Sequence, residues 1–191
     1  MKVNFKQIGV AAAVAAVSAS FAGSVNAQPT RAAGNIGDLA VIPYYTVQDD
    51  WATGVHIINT SNTTQVVKLR LRRATDSADA LDFNLILSPK DEWTGALSDD
   101  GAGNISMRTD DASCTAPVRA DGVFQMPAIY RPGADEGYIE VISMGTAAAT
   151  SPIAIAAKHA SGVPADCSAV ASNFFANVSL AGAGDPSLKG N

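Results

Sequence analysis

This 191-residue chain has only two histidines and two cysteines, the residue types that most often act as a general base or a nucleophile near neutral pH. Its two histidines are His56 and His159, and histidine is the usual general base near neutral pH. His56 alternates with Val55 and Ile57, which is typical of an exposed or hydrogen-bonded strand histidine, and His159 ends a run of small residues. No Gly-x-Ser-x-Gly nucleophile elbow is present. We therefore predict that the protein is not an enzyme and has no catalytic residues.

Paired carboxylates leave one enzymatic alternative open, since a glycosidase needs only two of them. The candidates are Asp91, Glu92, Glu136 and Glu140. Their spacing along the chain does not give their separation in space, so the sequence assigns them no reaction.

Two acidic pairs are candidate ligands for Ca²⁺, which binds several carboxylate and carbonyl oxygens from a flexible loop. Asp99 and Asp100 open a Gly-rich segment, and Asp110 and Asp111 follow further along the chain. The spacing is not that of an EF-hand, which has acids at alternate positions and a glutamate at the end of the loop. A solvated acidic loop is the preferred interpretation, and we predict no cofactor.

Trp51 and Trp93 are candidate contacts for a glycan, because large aromatic rings offer flat apolar faces on which sugars stack. Trp51 follows Asp49 and Asp50 just before a predicted strand, and Trp93 lies in a predicted hairpin. Aromatic residues at strand ends more often close the core of a β-sandwich, and this is the alternative interpretation of both tryptophans.

The charge of the chain argues against a nucleic acid as partner. The 13 Lys and Arg residues and 18 Asp and Glu residues give a net charge of −5. Without the two lysines of the predicted leader, the balance is 11 minus 18, or −7. Lys68, Arg70 and Arg72 lie on one face of a predicted strand, where we expect them to pair with Asp82 and neighbouring acids across a sheet.

Residues 1–27 are predicted to be an export signal that is cleaved after Ala27. Lys2 and Lys6 form a positive n-region, residues 8–19 are apolar, and Val25-Asn26-Ala27 has the small residues typical of a cleavage site. No later segment has the run of about 18 apolar residues that a transmembrane helix needs. We expect an exported bacterial protein in the periplasm, at the cell surface or in the medium.

The remaining chain is predicted to form one domain with short extensions. Residues 28–37 are expected to be a flexible N-terminal arm, residues 38–181 the folded domain, and residues 182–191 a flexible Gly-rich tail. Cys114 and Cys167 are the only cysteines, and in an oxidising compartment they are predicted to form a disulfide. A metal-binding pair is the weaker alternative, since neither cysteine has another cysteine or a histidine at ligand spacing.

Period-two alternation of apolar and polar residues identifies the elements that must position these side chains. It is clearest at residues 81–87 and at residues 65–73, which follow residues 54–58 across a polar turn and are expected to pair with them. Residues 92–97 are expected to return as the hairpin partner of 81–87. Pro43 makes residues 39–47 an edge strand or a broken strand. Further strands are predicted at 54–58, 104–108, 138–143 and 152–158, and a short helix at 166–176 with Asp166 or Ser168 as its cap. The fold class is mainly β, an antiparallel sandwich (Ig-like or jelly-roll-like) with at most one or two short helices.

Six segments together resemble a group of uncharacterised exported proteobacterial proteins. They are Ile42–Val47, Ile58–Ser61, Leu81–Pro89, Asp91–Thr94, Gly137–Ile142 and Gly162–Cys167. The resemblance spans most of the chain after the leader and implies export and a shared fold, without an activity or catalytic residues. Several of those proteins continue past a Gly-rich stretch similar to residues 182–190, and the resemblance therefore leaves open the alternative that this chain is the N-terminal part of a longer secreted protein.

The sequence therefore predicts a non-enzymatic structural or adhesive protein of the envelope or of an extracellular assembly. Its expected partners are itself or other envelope proteins, with residues 28–37 adding as a strand to a neighbouring subunit. A carbohydrate-binding β-sandwich module, with glycans as partners, is the alternative.

Overall fold

The computed structural model describes residues 38–175 of the chain. The predicted export signal (1–27), arm (28–37) and Gly-rich tail (182–191) lie outside the described residues.

Two antiparallel sheets contain most of the strands. The first has the spatial order β1-β9-β3-β4-β7, with β1 (Leu39–Thr46), β3 (Thr64–Arg73), β4 (Asp79–Leu87), β7 (Cys114–Ala116) and β9 (Glu136–Ala147). The second has the order β2-β5-β6-β8, with β2 (Thr53–Ile58), β5 (Glu92–Asp99), β6 (Ile105–Arg108) and β8 (Val123–Gln125). A short pair of strands, β10 (His159–Ala160) and β11 (Val163–Pro164), forms a separate hairpin.

The inner faces of the two larger sheets pack against each other, and this confirms the predicted antiparallel β-sandwich. Phe83 of the first sheet stacks on Phe124 of the second at 4.0 Å between ring centroids. Trp93 meets the edge of Phe83 at 5.8 Å. These three rings are fully or almost fully buried and form the centre of the main core.

The alternation in β3 separates core from outer face as predicted. Leu69 and Leu71 are fully buried in the core, whereas Lys68, Arg70 and Arg72 point to the outer face of the first sheet. The next strand, β4, is buried on both of its faces along its whole length.

The predicted pairing of neighbouring strands was wrong in two places. β2 and β3 follow each other in sequence, but they belong to different sheets. β5 is not the hairpin partner of β4: it pairs with β2 and β6 in the second sheet. Alternation shows which face of a strand is apolar but not which strand lies beside it, so these turns cross between the sheets instead of closing hairpins.

Two short α-helices follow β9. The segment predicted as a strand at 152–158 is instead helix α1 (Pro152–Ala157), because Ser151 caps its first turn and Pro152 occupies the first helical position. Helix α2 (Cys167–Phe174) confirms the predicted short helix, with the Asp166 carboxylate accepting from the Ala169 amide as its cap. Two single 3₁₀ turns lie at Gln48–Asp50 and Ala128–Tyr130.

The predicted disulfide between Cys114 and Cys167 is confirmed. It joins β7 to the start of α2 and so holds both helices near the outer face of the first sheet. There Ile86 packs with Ala116, Ala157 and Val170 in a second, smaller apolar cluster. A disulfide is compatible with an exported protein.

No helix within residues 38–175 has the length and apolar character needed to cross a membrane.

Candidate functional site

His159 meets Ser88 and Asp91, which are the three residue types of a hydrolase triad. Its Nδ1 lies 3.1 Å from the Ser88 hydroxyl and 3.4 Å from the Asp91 carboxylate, which also accepts from the Ser88 hydroxyl at 3.1 Å. In a catalytic triad the serine and the carboxylate meet different ring nitrogens. Here both meet Nδ1 and Ser88 is buried, so the contacts fasten β10 to the turn between β4 and β5.

The four carboxylates considered for glycoside hydrolysis each have a different partner. The pairs are Asp91 with His159, Glu92 with His56, Glu136 with Tyr44, and Glu140 with Arg72. The pair of His56 and Glu92, at 3.0 Å, is solvent-exposed on neighbouring strands. The carboxylates are thus held in separate pairs, and the arrangement supports no specific reaction.

The acidic pairs proposed for Ca²⁺ are not brought together. Asp99 and Asp100 lie at the turn between β5 and β6, whereas Asp110 and Asp111 follow the other end of β6. The Asp100 carboxylate accepts from the side-chain amide of Asn104 and from backbone amides of its own turn, which lower its pKa below the ordinary range. No cluster of three metal-ligating side chains exists within residues 38–175.

A cavity of about 400 Å³ lies between the segment after β6 and the start of α2. Asp111 and Asp121 line it, but the carboxylate of each already accepts from groups of its own loop. The rest of the polar lining consists of hydroxyls, the Asp110 carboxylate and the Arg119 guanidinium.

The two tryptophans have opposite environments, and only one of them can contact a glycan. Trp93 is fully buried in the core against Phe83, so its assignment as a glycan contact was wrong. Trp51 is 68% exposed and follows the 3₁₀ turn at Gln48–Asp50. The burial of Trp93 could have been predicted from the sequence, because alternation in a strand places Trp93 on the face opposite its polar neighbours Glu92 and Thr94. Both neighbours are exposed in the structure.

The cations of β3 pair with acids across the outer face, which confirms the predicted pairing. Lys68 Nζ lies 3.2 Å from an Asp82 oxygen, and Arg70 Nε lies 3.6 Å from the same oxygen. Arg72 bonds to Glu140 on β9 at 3.0 Å. Burial raises the pKa of Asp82 above its usual range, although Lys68 opposes this shift. The positive charges of this face are paired with carboxylates of the same protein, so this face is not a basic surface for a polyanion.

The first strand, β1, leaves one edge of the five-stranded sheet open. β1 pairs with β9 on one side, and no strand within the described residues pairs with its other side. The backbone carbonyl of Asp38 accepts a hydrogen bond from the Ser143 amide at 2.8 Å, so the main-chain groups of Asp38 face β9. In an antiparallel ladder every second residue faces the same neighbour, so the main-chain groups of Ala40 also face β9. The amides and carbonyls of Leu39 and Val41 therefore point to the open side.

The open part of this edge is short and apolar. The Leu39 and Val41 side chains are 55% and 53% exposed. Further along β1 the edge is closed, because the Thr53 hydroxyl donates to the Thr46 carbonyl at 2.8 Å and accepts from the Thr46 amide at 3.0 Å. No charged residue occurs in Leu39–Thr46, although natural proteins commonly protect exposed edges with charge.

Pro43 marks the end of the open edge. The sequence predicted an edge strand or a broken strand here, and β1 is an edge strand of the first sheet with an irregularity at Pro43. Pro43 and Tyr44 form a bulge opposite one residue of β9, between the pairs Ile42–Ile139 and Tyr45–Gly137. The bulge turns Tyr45 into the core, where its hydroxyl donates to the Ala134 carbonyl at 3.1 Å. β1 is thus anchored at its C-terminal half and open at its N-terminal half.

No family model, curated protein or solved structure matches this chain.

Proposed function

We propose that the protein is a non-enzymatic, exported structural or adhesive component of the bacterial envelope or of an extracellular assembly. The observation that carries this proposal is the open edge at Leu39 and Val41, where exposed apolar side chains accompany main-chain groups that no strand within residues 38–175 pairs with. Addition of a strand to such an edge supplies main-chain hydrogen bonds without a pocket. The predicted export signal and the disulfide between Cys114 and Cys167 support a location outside the cytoplasm.

The contacts of the polar residues agree with a role without catalysis. Ser88, Asp91 and His159 fasten a loop, and the cations of β3 neutralise the acids beside them. The proposed function therefore assigns binding to the edge of the first sheet and a supporting role to the rest of the sandwich.

Replacing Val41 with Lys is expected to release the protein from its assembly. A lysine at the edge adds a charge where a neighbouring strand must pair, which is the device that natural edge strands use against association. We expect the amount of protein in the cell-surface fraction of the native organism to fall roughly tenfold, measured by quantitative immunoblotting and electron microscopy.

The matched control is Val163→Lys. Val163 is also an exposed valine, at 57%, but it lies in the separate hairpin of β10 and β11. We expect this variant to stay in the surface fraction. Equal retention of both lysine variants would contradict the proposed role of the β1 edge.

A carbohydrate-binding module is the second candidate, because Trp51 presents a largely exposed indole ring beside Asp49 and Asp50. Trp51→Ala is expected to weaken binding to a glycan array about tenfold, since the stacking surface is lost. Ile129→Ala is the control, as Ile129 is exposed but lies in the other 3₁₀ turn. If no glycan binds the unaltered protein, or if both variants bind equally, this candidate is excluded.

A further inference from the structure

We infer that the open edge of β1 binds the same edge of a second copy of this chain, antiparallel and about a two-fold axis at Ala40. The inference rests on the proposed function, in that it takes β1 as the edge of assembly, and it identifies the partner. Such a pair would join two five-stranded sheets into one continuous sheet.

The direction of the main-chain groups restricts the possible registers. Leu39 and Val41 point their amides and carbonyls outward, so these two residues must form the hydrogen-bonded pairs. With Leu39 of one copy opposite Val41 of the second copy, the two-fold axis repeats the pair and about four main-chain hydrogen bonds form.

Pro43 disfavours the neighbouring register. A shift that placed Val41 opposite Val41 of the second copy would place Leu39 opposite Pro43 of the second copy. Pro43 has no amide hydrogen, so that register loses a donor at each of its two ends. The register centred on Ala40 requires no donor from proline.

The side chains at the edge are compatible with a second copy. Leu39 and Val41 lie on the same face of β1, so the two copies would bring four apolar side chains together, each now about half exposed. The residue on the axis is Ala40, whose small side chain allows the close approach of a pair without mutual hydrogen bonds.

The charges near the edge do not oppose the pairing. In this register Asp38 lies opposite Ile42 of the second copy, and the two Asp38 residues are four positions apart along the strands. At about 3.3 Å per residue this is roughly 13 Å, which exceeds the Debye length of about 8–10 Å at physiological salt. Glu140 on the adjacent strand is already paired with Arg72.

The area of contact indicates a weak dimer. Stable complexes bury about 800 Å² per partner, and an edge of five residues provides much less. We therefore expect a concentration-dependent dimer that is favoured where many copies are held close together, as on a cell surface.

Cysteine cross-linking of the purified exported protein tests the register. Residues in a pair without mutual hydrogen bonds have Cα atoms about 4.5 Å apart, which a disulfide can bridge, so Ala40→Cys is expected to form a covalent dimer on mild oxidation. Val41→Cys would be a diagonal neighbour at about 7–8 Å and Tyr44→Cys roughly 26 Å from its counterpart, so both should cross-link much less.

The expected result is that most Ala40→Cys protein is dimeric, and that peptide mapping places the new bond between position 40 of one copy and position 40 of the second copy while Cys114–Cys167 stays intact. Cross-linking of Ala40→Cys must also persist after deletion of residues 28–37. If the deletion abolished the cross-linking, the arm of a neighbouring subunit would be the strand that binds this edge, and the inference would be overturned. Preferential cross-linking of Val41→Cys would overturn the register.

The proposed function can fail separately from this inference. If Ala40→Cys does not cross-link but Val41→Lys still leaves the surface fraction, the edge binds another partner and only the dimer is wrong. If Ala40→Cys cross-links but Val41→Lys stays in the surface fraction, the dimer is right and the role of the edge in the surface assembly is wrong.

Discussion

Replacing Trp93 with Ala is expected to lower the free energy of unfolding by about 3–5 kcal/mol. The indole ring is fully buried at the centre of the core, and the edge of Phe83 packs against it at 5.8 Å. A Cβ atom added at Gly95, two residues further along the same strand, would clash with the same ring, so the indole fills the space that this glycine leaves open. Truncation would leave a cavity that these neighbours can fill only in part. Urea unfolding monitored by circular dichroism measures the loss.

The matched control is Trp51→Ala. Trp51 is the other tryptophan, and its ring is mostly in water, so we expect a change within about 0.5 kcal/mol. If the two variants lost similar stability, the placement of Trp93 in the core would be wrong.

Removing the disulfide is expected to cost about 4 kcal/mol of stability. The bond joins Cys114 to Cys167, a separation of 53 residues, and a cross-link that closes a loop of this length restricts the unfolded chain by about that amount. The double variant C114A/C167A should therefore unfold at much lower urea concentration than the unaltered protein. Alanine is preferred to serine because Cys114 is fully buried beside Ile86 and Ala116.

A reducing agent provides the control for this second prediction. It should lower the stability of the unaltered protein towards that of C114A/C167A and leave the double variant unchanged. Equal urea midpoints for the oxidised protein and the double variant would contradict the predicted contribution.

Much of the sandwich could be predicted from local patterns. Leu69 and Leu71 face the core and Lys68 the outer face because a strand allows no other arrangement of an alternating sequence. The pairing of the strands could not be predicted in this way. Whether the chain after β4 returns beside it or crosses to the other sheet depends on packing between distant segments, which alternation does not encode.

Helix α1 shows a different reason for error. Its sequence after Ser151 alternates Ile with Ala, which is typical of a short strand. Ser151 and Pro152 are strong signals for the start of a helix, and burial of Ala154 and Ala157 on one side satisfies helical spacing equally well. In so short a segment the cap is more informative than the periodicity.

The candidate site was only partly visible in the sequence. Pro43 indicated that β1 is an edge strand or a broken strand, but the direction of the Leu39 and Val41 amides follows from the register with β9. The contact of His159 with Ser88 joins residues 71 positions apart, and no local pattern connects them.

The burial of β4 on both faces has a consequence for the way in which the molecule opens. One face lies in the main core and the other lies under the charged pairs of β3 and the small cluster at α2, so all nine residues are shielded. Local fluctuations can release the Leu39 end of β1 without disturbing this strand. The amide protons of β4 should therefore exchange with solvent deuterium only through complete unfolding, and their exchange rates would report the global stability of the domain.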